Sequence, residues 1–389
     1  MKREKVLWLL RSLLLMIMLT MVMCLPAGAE GGAAEWDELY QEQAEASGAG
    51  DLPDNLPEET RQLLDQLGIT SIDAEGFSSL EPQGVWKALA ELTGQEASGP
   101  LRSVGVVLGV VLLCALMEGM KQTLRDPSAS PVFQVVCVLA ACAALLVPLS
   151  SCVQAVCRAA ESTSVFMGSF VPVYAGILVT AGHAVTAASY QTVVLFAAEL
   201  ITLLATHLLV PLLTVSLALG MAGSLDTGLR LDSLSSAINK GAAWLLGITT
   251  TLFVGLLTLQ GIVGGAADTL SSRALRFSLS SMVPVVGGSL SEAFSAVKGC
   301  LGLLKSTVGG FGMLATALIV LPPLLQCAVW SLGLALCTAA AELFGLGQIS
   351  ALLRSAQAVV KTLIAVLAAC SLFMIVTTAV VTAAGGAAV

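Results

Sequence analysis

Charge is scarce in this chain. Asp, Glu, Lys and Arg make up 11% of its 389 residues, against about 25% in soluble domains. Hydrophobic residues reach 56%, with a mean hydropathy of +0.90. That balance excludes a soluble globular domain and implies an integral membrane protein. Histidine is nearly absent. With only His183 and His207, the chain offers little for a His-based triad or a zinc cluster. No HExxH, no GxSxG elbow and no GxxxxGKS or GxxxxGKT loop occurs, and Lys305-Ser306-Thr307 copies only the tail of the last. The chain therefore reads as a non-enzyme with no cofactor and no metal site, so that any ATP-driven work must come from another subunit.

Basic residues are few and unevenly placed. Residues 30–100 hold 16 of the 26 acidic residues but only two basic ones, Arg61 and Lys87. Such an acidic block gives no footprint for nucleic acid. It also contains none of the ten cysteines. Cys114, Cys137, Cys142, Cys300, Cys327, Cys337 and Cys370 lie in or beside apolar runs, where the thiol acts as a small hydrophobe. Cys152 and Cys157 form a pair near a membrane edge, without a CxxC motif or a histidine to make a metal site of them.

What is present falls into three parts. Residues 1–29 have the layout of a secretory signal: Lys2, Arg3 and Lys5, an apolar run from Val6 to Val22, and Ala27-Gly28-Ala29 as a cleavage site. An uncleaved first membrane helix is the alternative, and either form sends residues 30–100 across the membrane to the non-cytoplasmic side. That acidic exported segment is expected to carry two short helices. One spans Pro57–Gly68 with Leu63, Leu64 and Leu67 on one side, and the other spans about 81–93 with Val85, Trp86, Leu89 and Leu92. Lacking a core of its own, the segment is expected to lie on the membrane or on a partner, or else to be a solvated linker.

Residues 101–389 form a polytopic helical membrane domain. Candidate spans lie at 103–120, 132–152, 165–182, 191–220, 242–265, 311–333 and 361–383, so the fold class is all-α with about seven transmembrane helices plus interfacial or re-entrant amphipathic segments. With residues 30–100 outside, one crossing places the loop at 121–131 in the cytoplasm and five crossings place the element at about 266–310 there. Their basic residues, Lys121, Arg125, Arg273, Arg276, Lys298 and Lys305, then obey the positive-inside rule.

Two candidate sites emerge. The stretch 273–294 is too polar to cross a bilayer and is broken by Pro284, Gly287 and Gly288. Together with Arg273, Arg276 and Glu292 these residues make a candidate gate or docking element flanked by amphipathic, interfacial helices. The second is an intramembrane polar stripe, Glu199 with Thr202 and Thr206 at i+3 and i+7. A charge at depth costs at least ~2.5 kcal/mol, so it faces either a wet path or a structural partner. Gly105-Val-Val-Leu-Gly109 and Gly261-Ile-Val-Gly-Gly265 are small-xxx-small patterns suited to close helix packing.

Several runs in this order resemble one family. Arg273-Ala-Leu-Arg-Phe277, Pro284-Val-Val-Gly-Gly-Ser-Leu-Ser-Glu292, Phe170-Val-Pro-Val-Tyr-Ala-Gly-Ile-Leu178, Leu195-Phe-Ala-Ala-Glu199 and Val210-Pro-Leu-Leu-Thr214 are similar to the stage III sporulation protein AE family over roughly residues 100–385. The resemblance implies a polytopic protein in the mother-cell membrane that surrounds the forespore. It also implies membership of a sporulation-specific, secretion-like channel complex supporting forespore gene expression and development. Implied partners are sister proteins of the same operon, among them a secretion-type ATPase and ring-forming membrane proteins, and a forespore-side channel protein. Membrane lipid and a second copy of the chain are further expected contacts. A secondary transporter using Glu199 and the broken stretch, or a non-conducting membrane scaffold, are the alternatives.

Overall fold

The computed structural model describes residues 33–69, 82–121, 130–225, 231–282 and 287–386. Every regular element among them is helical. In hydrocarbon a backbone must satisfy its own hydrogen bonds, and long apolar runs do so as helices. The short α1 (Ala33–Ser47) and α2 (Glu58–Gln66) are joined through two 3-10 turns. The long rods α3 (Pro82–Lys121), α4 (Ser130–Thr180), α5 (Ala184–Leu203), α6 (Val210–Leu225), α7 (Leu231–Met282), α8 (Gly287–Leu343) and α9 (Gly347–Gly386) follow. A π-helical turn, Leu204–Leu209, links α5 to α6 so that they act as one kinked rod. The turn precedes Pro211, whose ring would press on the carbonyl of His207 in a regular helix, and the wider turn relieves that clash.

Among the described residues six helices, where about seven spans were expected, are long and apolar enough to cross a membrane. The difference lies in α4, where the expected spans 132–152 and 165–182 are two ends of one continuous rod of 51 residues. The polar stretch between them looks like a loop by composition. However, residues 149–167 contain no Gly or Pro, and Gln154, Ala155, Arg158, Ala159, Ala160 and Glu161 are good helix formers. At 1.5 Å per residue this rod is about 76 Å long, more than twice the roughly 30 Å hydrocarbon core.

The rods run up and down between two ends. Tight turns close two hairpins: Gly182 at φ 87° and Gly345 at φ 72° occupy left-handed positions that disfavour a Cβ. The His183 amide then donates to the Leu178 carbonyl at 2.8 Å, and the Leu346 amide to that of Ala341 at 2.9 Å, the pattern of a glycine-terminated helix. Helix α8 is the central rod, with 67% of its apolar window buried against 22% for α3 and for α7. Around its upper half runs an aromatic ladder. Phe166 stacks on Phe170 at 5.6 Å, Phe170 on Tyr174 at 5.4 Å, and Tyr174 meets Tyr190 edge-on at 5.5 Å. Gly312 of α8 leaves the room that Phe170 fills.

The N-terminal segment has a core after all, borrowed from the bundle. Tyr40, Ala49, Leu52, Leu56, Leu64 and Ile69 are buried in the same cluster as α4 and α8. The Tyr40 hydroxyl donates to Thr307 Oγ1 of α8 at 3.0 Å. The seven carboxylates Glu42, Glu45, Asp51, Asp54, Glu58, Glu59 and Asp65 point outward, with Arg61 paired to Asp54 at 3.1 Å. The segment 33–69 and the start of α8 therefore share one end of the bundle.

Candidate functional sites

The broken stretch 273–294 is less broken than its composition indicates. Helix α7 runs through Arg273 and Arg276 to Met282, and α8 begins at Gly287, so Gly287, Gly288 and Glu292 belong to a helix rather than to an irregular segment. The flanks are thus the ends of two long rods and not separate interfacial helices. Pro284 lies outside the described residues, as does the expected signal at 1–29. Arg273 and Phe277 are exposed at this end of the bundle.

The Glu199 stripe is divided by the structure. Glu199 faces outward from α5. Thr202 Oγ1 reaches the Ala160 carbonyl of α4 at 3.5 Å, and Thr206 Oγ1 donates to the Thr202 carbonyl at 2.8 Å. Both hydroxyls serve backbone carbonyls. The glycine patterns also separate. Gly261 and Gly264 abut Val380 of α9 and Thr186 of α5, whereas Gly105 and Gly109 have open space where a Cβ would project.

Three polar features were not legible from motifs. The first is Asp268 of α7, 2% exposed. Its carboxylate accepts the amides of Val185 and Thr186, each at 3.0 Å, and the Thr186 hydroxyl at 2.6 Å. These are orphan donors at the start of α5, where a negative group is favoured. His183 Nδ1 lies 3.9 Å from the same carboxylate. Second, α6, α7 and α9 meet in a hydroxyl cluster. Ser216 and Ser235 are 2.8 Å apart, Ser355 follows at 3.3 Å from Ser235, and Asn239 Nδ2 donates to Ser216 Oγ at 2.8 Å. Gly220 lies directly against Ser355 in this junction. Third, Lys305 of α8 is 4% exposed, and its amine has no hydrogen-bond partner among the described residues. Among the described residues no group of three His, Cys, Asp or Glu side chains is placed to hold a metal ion.

Comparison with known proteins gives this bundle a family. A family model described as Stage III sporulation protein AE matches residues 69–385. The chain belongs to that family. The Stage III sporulation protein AE of Bacillus subtilis (strain 168) is 23% identical over 238 residues, covering 61% of this chain and 60% of that protein's own length. No solved structure matches. The family match begins at residue 69, so it covers all the long rods and leaves α1 and α2 outside.

Proposed function

We propose that the chain is a membrane component of a sporulation-specific, secretion-like channel complex between mother cell and forespore. What supports the reading is the family match across residues 69–385, joined to a bundle of six rods able to cross a membrane. The chain would sit in the mother-cell membrane around the forespore and act without chemistry of its own. Its partners would be sister proteins of its operon: a secretion-type ATPase, ring-forming membrane proteins and a forespore-side channel protein.

In this reading residues 30–100 face the intermembrane space. The Tyr40–Thr307 contact supports placing the first part of α8 toward that same side. The junction of α7 and α8 would then meet extracytoplasmic partners, and the ATPase would approach the opposite end, where the turn at 344–346 lies beside the end of α3 and the start of α4.

Affinity capture of the tagged chain from sporulating cells, followed by mass spectrometry, tests the proposal. Co-recovery of the ATPase and the ring proteins is expected. Recovery of this chain alone, from membranes in which those proteins are abundant, would overturn it.

A further inference from the structure

The outer surface of α4 and α5 carries a charged belt at mid-height. Arg158 and Glu161 are exposed on α4, Glu199 on α5, and His207 on the π-helical turn that follows it. The contact of Thr202 with the Ala160 carbonyl sets the two helices level there, so Arg158 and Glu199, five residues apart along the antiparallel pair, differ in height by about 7.5 Å. Neither Arg158, Glu161 nor Glu199 forms an ion pair among the described residues.

Exposed apolar side chains flank the belt on both sides. Val135, Leu139, Leu146 and Val147 lie toward one end and Val165, Val179, Val185 and Phe196 toward the other. A rod of about 76 Å cannot have both bands in a hydrocarbon core of about 30 Å. A bilayer centred on the rod would place the belt in lipid, at a cost of at least ~2.5 kcal/mol for each charge. Whichever band the lipid takes, protein must cover the other.

We infer that the cover is a second copy of this chain, related by a two-fold axis normal to the membrane and packed through the α4–α5 face. Copies inserted in one membrane share orientation and depth. Apolar band therefore meets apolar band, and belt meets belt, without axial shift. The belt carries both signs within about 8 Å of height, an offset that the long side chain of Arg158 can span, so Arg158 of each copy can reach Glu199 of the other and the contact is self-complementary. Gly168, Pro172 and Gly176 are exposed along the same helix, and neither glycine has an atom within 4 Å of where its Cβ would stand, which lets two α4 rods approach closely. The inference needs none of the partners proposed above, and its test uses the full chain alone.

The test is native mass spectrometry and light scattering of the purified chain in detergent and in nanodiscs, with Arg158→Glu, Glu199→Arg and the double exchange. A dimer is expected for the parent chain. Each single reversal should weaken association about tenfold or more by setting like charges opposite one another, and the double exchange should restore it. Unchanged thermal unfolding of the three variants shows that folding is intact. A photo-crosslinking residue at Leu203, 51% exposed beside the belt, should capture a second copy. A monomeric parent, a dimer indifferent to both reversals, or a double exchange no better than the singles would overturn the inference.

Discussion

Asp268 and Thr186, 82 positions apart, are joined twice: the carboxylate takes both the backbone amide, at 3.0 Å, and the hydroxyl, at 2.6 Å, of the same residue. One aspartate on α7 thereby caps α5 and fixes the hairpin turn at 181–183 against α7. Replacement by Ala leaves two amides and a hydroxyl unsatisfied in a buried site, and a loss of about 3 kcal/mol is expected. Asp268→Asn keeps one acceptor and should cost less. Thr186→Val removes only the hydroxyl bond and should cost about 1 kcal/mol. Thermal unfolding of the detergent-purified chain reads all three, and equal losses for Ala and Asn would show that the carboxylate does not act as a cap.

The glycines give a paired prediction. A Cβ at Gly333 would collide with Val104 of α3, and one at Gly220 with Ser355 of α9, while one at Gly109 meets nothing. Gly333→Ala and Gly220→Ala should each destabilise by about 1–3 kcal/mol through overpacking. Gly109→Ala should be within about 0.5 kcal/mol of the parent. Thermal unfolding again distinguishes them, and a destabilised Gly109 variant would mean that its face is already occupied in the purified protein.

How much of this could be read beforehand depends on the range of the interaction. Helical class and the apolar spans follow from local pattern. The number of rods does not, because residues 153–164 have polar side chains on a backbone with no reason to stop being helical. Asp268 is one acidic residue near the end of an apolar run, and its value as a cap depends on a helix start 82 positions earlier. The docking of α1 also escaped notice. Tyr40, Leu52 and Leu64 look too few to build a core, and they succeed because α4 and α8 supply the other side.

Lys305 invites a substitution that should help. Its amine is enclosed beside Leu301, Leu304 and Val308 with no partner among the described residues. An uncompensated buried donor costs about 1–3 kcal/mol, and more when charged. Lys305→Met keeps the length of the chain and removes the charge, so the thermal midpoint should rise. If the variant is more stable but no longer supports sporulation in complementation, the amine serves a contact made only in the assembly. A fall in the midpoint would show that the amine is satisfied within the folded chain.

The attachment of the N-terminal segment to its own bundle can be broken in two steps. Tyr40→Phe removes one buried hydroxyl-to-hydroxyl bond, worth about 1 kcal/mol, and should leave the segment in place. Leu52 is 1% exposed in the shared core, and Leu52→Ala should cost about 2–5 kcal/mol of local packing. Because α1 and α2 contribute little to the packing of the long rods, that loss should appear as local release and not as global unfolding. Limited proteolysis of the detergent-purified chain is the direct reading. The parent and Tyr40→Phe should resist cleavage across residues 49–66, Leu52→Ala should be cut there, and the fragment from α3 onward should keep the parent's helical signal and melting midpoint. Rapid cleavage of the parent at the same sites would mean that the segment does not rest on this bundle, and a midpoint that falls with Leu52→Ala would mean that it is part of the global fold.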